Sequence, residues 1–304
     1  MGRLTFLYDP FSAAVMPLAD GLARRWLLTH GLSQQFLHHG PIELSYYHQP
    51  AQTPGNLPLL LVHGIGDSSM TWALTMPLLA HRHELFALDL PGHGYTNLPF
   101  GRSYVTLDEH LDELEVFARQ AIKRPFVVVG NSLGGLLAVR LANRVRDLVA
   151  GAVLLDPGGA PLGRPIWDAF FNKLRDTSLF GAYRTSQELI GVVPGPALAL
   201  TTRSVQRMLQ RPVILQAYEH SGDEVFLSAA ELMSLSVPTG LIWGLRDRFL
   251  PPGSREFFQA QLPGARTLFM NRCGHLPQRE RPLAVNRFVQ RFARDVQRAR
   301  ESRL

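Results

Sequence analysis

Ser132 stands in Gly130-Asn131-Ser132-Leu133-Gly134, directly after the β-type run Phe126-Val127-Val128-Val129 and directly before the helix-like stretch Leu133 to Asn143. A serine on such a strand-turn-helix corner is held in a strained backbone conformation that lifts its hydroxyl out of the sheet. The flanking glycines are needed because side chains there would collide with the neighbouring strand and helix. A hydroxyl is a weak nucleophile near neutral pH, so the chemistry also requires an imidazole within hydrogen-bond reach and a carboxylate to orient it. In this arrangement the chain order is serine, acid, histidine.

Two histidines follow the serine, His220 and His275. His220 lies in a helical stretch with no strand before it, whereas His275, in Asn271-Arg272-Cys273-Gly274-His275-Leu276-Pro277, follows the last strand run and is assigned as the base. Among the intervening acids (Asp147, Asp156, Asp168, Asp176, Glu219, Asp223 and Asp247), Asp247 fits best. It follows the strand Gly240 to Trp243 and the turn residue Gly244, at the carboxyl end of the sheet, where open α/β folds build their sites. Asp156 ends the run Ala152 to Leu155 and is the substitute acid; the plainer reading makes it a cap on the turn that follows.

Acyl transfer also needs donors aimed at the oxyanion that forms when a carbonyl is attacked. One donor is expected from the N–H of Leu133, at the positive end of the helix after the serine. The other is expected from Ile65 in His63-Gly64-Ile65-Gly66, where glycines allow the backbone to approach a substrate closely.

The elements that must position these residues read as an α/β fold. Apolar runs without alternation, as in strands covered on both faces, occur at Pro58 to Val62, Leu85 to Leu88, Phe126 to Val129, Ala152 to Leu155, Gly240 to Trp243 and Thr267 to Met270. Thr106 and Glu109 form a capping-box pattern ahead of Leu107, Leu111, Leu114 and Ala118 at helical spacing. Near the end, Val285, Phe288, Val289, Phe292 and Val296 make one apolar stripe opposite Arg287, Arg291 and Arg294. Residues 160–236 interrupt the alternation as a mostly helical stretch. It carries Trp167, Phe170, Phe171, Phe180, Tyr183, Tyr218 and Phe226, which suit either its own core or a pocket wall.

The chain has 304 residues, 46% hydrophobic and 18% charged, enough to bury a sizeable core and too apolar for a disordered tail. The single cysteine, Cys273, rules out an internal disulfide or a Cys-rich zinc site. Its expected role is that of a small apolar residue beside the His275 loop. His81-Arg82-His83 has no third ligand at metal spacing and reads as a solvated loop. The longest apolar run, Leu57 to Val62, contains a proline and is far short of the ~20 residues a spanning helix needs. With no secretory signal pattern near Arg3, the expected location is cytoplasmic. The net charge of +6 is almost all arginine, Lys123 and Lys173 being the only lysines, and it is scattered, so no nucleic-acid partner is expected.

His63-Gly64, Asp89-Leu90-Pro91-Gly92-His93-Gly94, Gly130-Asn131-Ser132-Leu133-Gly134, Trp243-Gly244-Leu245-Arg246-Asp247 and Gly274-His275-Leu276-Pro277 together resemble the successive signatures of the α/β-hydrolase superfamily. The likeness is to its serine carboxylesterase and monoacylglycerol lipase branch and runs from about Gln35 to Val296. It implies a mostly parallel eight-stranded sheet with helices on both faces and a helical cap after the sixth strand. The resulting domains are a helical extension at 1–34, a core at 35–159 and 237–304, and a cap at 160–236. It implies a structural role for the Asp89 to Gly94 loop, and no cofactor or metal. Ser132 argues against relatives that use an aspartate nucleophile. The implied activity is hydrolysis of a small hydrophobic carboxylic ester by Ser132, His275 and Asp247. The alternatives are carbon–carbon hydrolysis of ring-cleavage diketones and a non-catalytic ligand-binding role.

The signatures leave the first ~34 residues uncovered. Val15, Leu18, Leu22 and Trp26 recur there at helical spacing beside Arg24 and Arg25. Packing on the protein's own body is the first expectation, with peripheral membrane contact and dimer formation as the others; the oligomeric state is open.

Overall fold

The computed structural model describes residues 18–52, 55–191 and 201–302. Eight strands form one sheet: β1 (Ser33–His39), β2 (Ile42–Gln49), β3 (Leu59–Val62), β4 (Leu85–Leu88), β5 (Phe126–Asn131), β6 (Val149–Leu155), β7 (Thr239–Gly244) and β8 (Arg266–Met270). Their spatial order is β1-β2-β4-β3-β5-β6-β7-β8. β2 runs antiparallel to β1 and β4, and the remaining pairs are parallel. The six apolar runs of the sequence are β3 to β8. β1 and β2 escaped that criterion because both mix polar with apolar residues: β1 is the edge strand, partly in water, and β2, buried from Leu44 to Tyr47, sets Ser45, His48 and Gln49 among its apolar residues. β1 begins at Ser33, inside the stretch expected to be a helical extension.

The helices are α1 (18–29), α2 (Met76–Ala80), α3 (Leu107–Phe117), α4 (Leu133–Arg144), α5 (Arg164–Arg175), α6 (Leu179–Leu189), α7 (Thr202–Leu209), α8 (Pro212–Glu219), α9 (Ala229–Met233), α10 (Ser254–Gln261), α11 (Pro277–Glu280) and α12 (Pro282–Glu301). Successive strand side chains point to opposite faces, so the inner strands feed two cores. Leu60, Val62, Val128 and Trp243 pack with Leu111, Leu114 and Phe117 of α3 and Leu137 of α4. Leu59, Leu61, Val127 and Val129 pack on the other face with Leu27, Met76 and the stripe Val285, Phe288, Val289, Phe292 and Val296 of α12. Gly240 makes room for α12, since a β-carbon there would lie 2.8 Å from the Phe288 ring. The capping box of α3 forms between Thr106 and Glu109.

Helices α5 to α9 lie between β6 and β7, and within them Trp167, Phe170, Phe171 and Leu174 cluster with Leu209 and with Phe249 from the β7–α10 loop. Phe226 packs against this cluster, while Phe180 is exposed. Tyr218's side chain lies outside the described residues.

The apolar stripe of α1 does not pack on the body. Leu18 is 61%, Leu22 67% and Trp26 40% exposed. The helix carries a second apolar line, Ala23 and Leu27, and the core takes that one. Val15 lies outside the described residues. Arg24 fixes the helix laterally, stacking on Tyr95 and donating to its hydroxyl at 2.8 Å. Among the described residues no helix is long and apolar enough to cross a membrane.

Candidate active site

Ser132 joins β5 to α4 at φ 56°, ψ −117°, the left-handed region that an L-residue occupies only under constraint. The constraint is supplied by hydrogen bonds on both sides. Ser132 N–H donates to the Leu155 carbonyl at 3.0 Å, and its own carbonyl accepts from Gly135, Leu136 and Gly158. The glycines are required by contact: a β-carbon on Gly130 would lie 2.0 Å from the Gly134 carbonyl oxygen, and one on Gly134 would lie 2.2 Å from that of Val62. The side chain at this corner faces two cavities at once.

His275 stands on the loop between β8 and α11, and Asp247 on the turn after β7. The imidazole Nδ1 donates to Asp247 Oδ2 at 2.8 Å, with both side chains almost sealed from solvent. The other carboxylate oxygen, Oδ1, accepts the N–H groups of Phe249 (2.8 Å) and Leu250 (3.1 Å), which fixes the rotamer. With Nδ1 protonated, Nε2 is the nitrogen left to take a proton. No direct hydrogen bond joins it to the Ser132 hydroxyl among the described residues; such bonds are often long in ligand-free hydrolases and tighten with substrate.

Asp156, the substitute acid, is fully buried at φ 39° beside Asp247 and accepts the Gly244 N–H at 3.0 Å, so it caps the end of β7 rather than its own following turn. Burial, reinforced by the Asp247 charge, pushes its carboxyl well above the ordinary range. Ligand atoms of Asp156, Asp247 and His275 lie within 4.8 Å of one another. Their commitments to Gly244, Phe249, Leu250 and each other make this an oriented imidazole rather than an ion cage.

Of the expected oxyanion donors, Leu133 opens α4, where the first N–H groups have no intrahelical acceptor. Ile65 lies on the loop after β3, and a β-carbon on the adjacent Gly64 would come within 3.0 Å of Ser132 Cβ. His63 holds that loop. Its Nδ1 donates to the Gly64 carbonyl at 2.7 Å and its Nε2 accepts the Leu90 N–H at 3.0 Å, a neutral tautomer that burial favours by lowering its pKa. Asp89 accepts from Ser69 and Tyr95 and so pins the Asp89 to Gly94 loop beneath it.

Several supporting residues carry no motif that sequence reasoning would select. Asn131 Nδ2 donates to the carbonyls of Leu155 and His275, each at 3.1 Å, tying the serine corner to the histidine loop. Gln278, fully buried, donates to Asn131 Oδ1 and Thr71, both at 3.0 Å. Glu280 accepts from Gly274 (2.9 Å) and Gly191 (3.0 Å). Their adjacency to Ser132 and His275 is the one signal the sequence holds. Cys273 is buried in the core, and burial raises its thiol far beyond reactivity at neutral pH.

The two cavities at Ser132 differ in character. The first, about 110 Å³, is lined by Val105, Leu136, Trp167, Phe170, Phe171 and Val213. The second, about 390 Å³, sets the charged side chains of Asp20, Asp67, Arg211 and Arg279, with His275, in a wall that is otherwise largely apolar, including Leu189, Ile190, Met208 and Phe249. His93 borders the first, and burial holds its imidazole, like that of His110, neutral.

Residues 59–288 match the alpha/beta hydrolase family. A pimeloyl-[acyl-carrier protein] methyl ester esterase of Nitrosomonas europaea is 30% identical over 74% of this chain and 92% of its own. A human monoacylglycerol lipase is 22% identical over 89% of this chain and 85% of its own. A solved structure described as a bacterial membrane phospholipase A superposes with a TM-score of 0.75 at 26% identity, covering 97% of this chain and 94% of that one. Sheet order, the serine corner and the matched span agree, and the chain belongs to the alpha/beta hydrolase family.

Proposed function

We propose that the chain hydrolyses carboxylic esters through a covalent acyl-enzyme on Ser132. The carrying observation is that a strained serine and an imidazole oriented by a buried carboxylate at 2.8 Å line one cavity. His275 Nε2 takes the Ser132 proton as the hydroxyl attacks the ester carbonyl, and the N–H groups of Ile65 and Leu133 hold the oxyanion. The imidazolium, stabilised by Asp247, gives the proton to the leaving alcohol. Water then repeats the sequence and frees the acid.

His275 lines the second cavity and not the first among the described residues. The alcohol therefore departs into the second cavity, and the acyl chain lies in the aromatic slot under α5, which acts as part of a cap formed by residues 160–236. This slot supports a small hydrophobic acyl group. The esterase and lipase relatives favour the same reaction class. Replacing Ser132 by Ala should abolish turnover of short p-nitrophenyl esters in a chain that still folds; retained turnover would remove the serine from the reaction.

The exposed Leu18, Leu22 and Trp26 support a peripheral membrane contact through α1. Flotation with anionic liposomes should carry the full chain and lose the variant with Leu22 and Trp26 replaced by Ser. Equal flotation of both would assign the contact elsewhere.

A further inference from the structure

Arg211 stands at the start of α8, lines the second cavity and is partly withdrawn from water. It donates through Nη2 to the Gly92 carbonyl, and no carboxylate pairs with it among the described residues. Desolvation alone acts on its pKa, pulling it down, as befits a cation with no acid close by. Of the other charges of the cavity, Arg279 and Asp67 are already engaged with each other. Arg279 donates to Asp67 at 2.7 Å and to Thr71 at 3.0 Å. Asp20 responds to Arg279, Asp67 and Asp89 but not to Arg211, and burial raises its pKa.

A partly buried guanidinium whose side chain donates to one neutral carbonyl is an incomplete arrangement, because its planar fork of donors matches a carboxylate or a phosphate. The cavity it faces is the one that receives the alcohol. We propose that Arg211 binds an anionic group, a phosphate or a carboxylate, carried on the alcohol portion of the ester. The inference rests on the ester hydrolase reading and adds its substrate class: an amphiphilic ester with an apolar acyl chain and a negatively charged alcohol. Gly92 belongs to the loop after β4, so the same guanidinium joins the anion to the loop beside His93.

Three esters with one acyl group test this, all below micelle-forming concentration: 1-octanoylglycerol, 1-octanoylglycerol 3-phosphate and 3-octanoylglycerate. In the wild-type chain kcat/KM should be about tenfold or more higher for at least one anionic ester than for the neutral one, the scale of a charge-assisted hydrogen bond. The preference should weaken as salt is added. The phosphate and carboxylate arms show which anion is read. In Arg211→Gln the anionic-to-neutral ratio should fall by about the same factor, and Arg211→Lys should restore part of it. The ratio cancels any loss of folded protein. Equal or slower wild-type turnover of both anionic esters, or a ratio unchanged in Arg211→Gln, overturns the proposal while leaving ester hydrolysis intact. If none of the three is turned over, the ester reading fails separately. Calorimetry of their binding to the Ser132→Ala chain then decides, with tighter binding of an anionic ester supporting the anion site and equal binding refuting it.

Discussion

Asp247 and Asp156 lie side by side and differ in what surrounds each carboxylate. Asp247 accepts the imidazole and two backbone N–H groups, the pattern that stabilises a negative charge. Asp156 has one N–H and a neighbouring anion, the pattern that suppresses one. Asp247→Asn should therefore lower kcat on a p-nitrophenyl ester by about 10³ to 10⁴, as loss of the correct histidine tautomer does in serine triads. Asp156→Asn preserves a neutral acceptor for Gly244 N–H and should stay within about tenfold of wild type. Steady-state kinetics of the two variants checks this, and a reversed ranking would make Asp156 the orienting acid.

Among the elements, the serine corner is held by close backbone passage. The contact between Gly134 and the Val62 carbonyl leaves no space for a methyl group, so Gly134→Ala should destabilise the chain by about 1 to 3 kcal/mol in urea unfolding. Unchanged stability would mean that the corner can relax. This corner was legible in the sequence because its steric demands fall on neighbouring residues. So were strands β3 to β7, whose two-sided burial makes them continuous apolar runs, and β8, an apolar run on the partly exposed edge. The antiparallel strands β1 and β2 were not: β1 is a partly exposed edge, and β2, though buried, sets Ser45, His48 and Gln49 among its apolar residues, so neither forms an apolar run. The buried face of α1 was misread because two apolar lines run along it and only packing selects between them. Asn131 and Gln278 stayed hidden for a related reason: they meet across 147 positions, a pairing that local spacing cannot express.

For the whole molecule, the sheet places two cores back to back, and beside the serine it buries imidazoles that have no charge partner. Burial holds His110 down to about 4, with His93 also well below its ordinary value. Unfolded chains bind those protons near pH 6.5, so the unfolded state gains protons first as pH falls, and this contribution to stability drains away between about pH 6.5 and 4. Asp156, raised in the fold, acts in the opposite sense above its unfolded value. His110→Gln isolates the histidine part: the stability advantage of wild type over this variant should shrink as pH falls from about 6.5 to 4, measured by urea unfolding. An advantage independent of pH would show that His110 is not held neutral. The central claim, that this fold drives Ser132 to form a covalent acyl intermediate, is tested most directly by treating the full chain with a fluorophosphonate and mapping the adduct by mass spectrometry. A single adduct on Ser132, lost when His275 is replaced by Ala, is the predicted result; no adduct, or one on another serine, would contradict it.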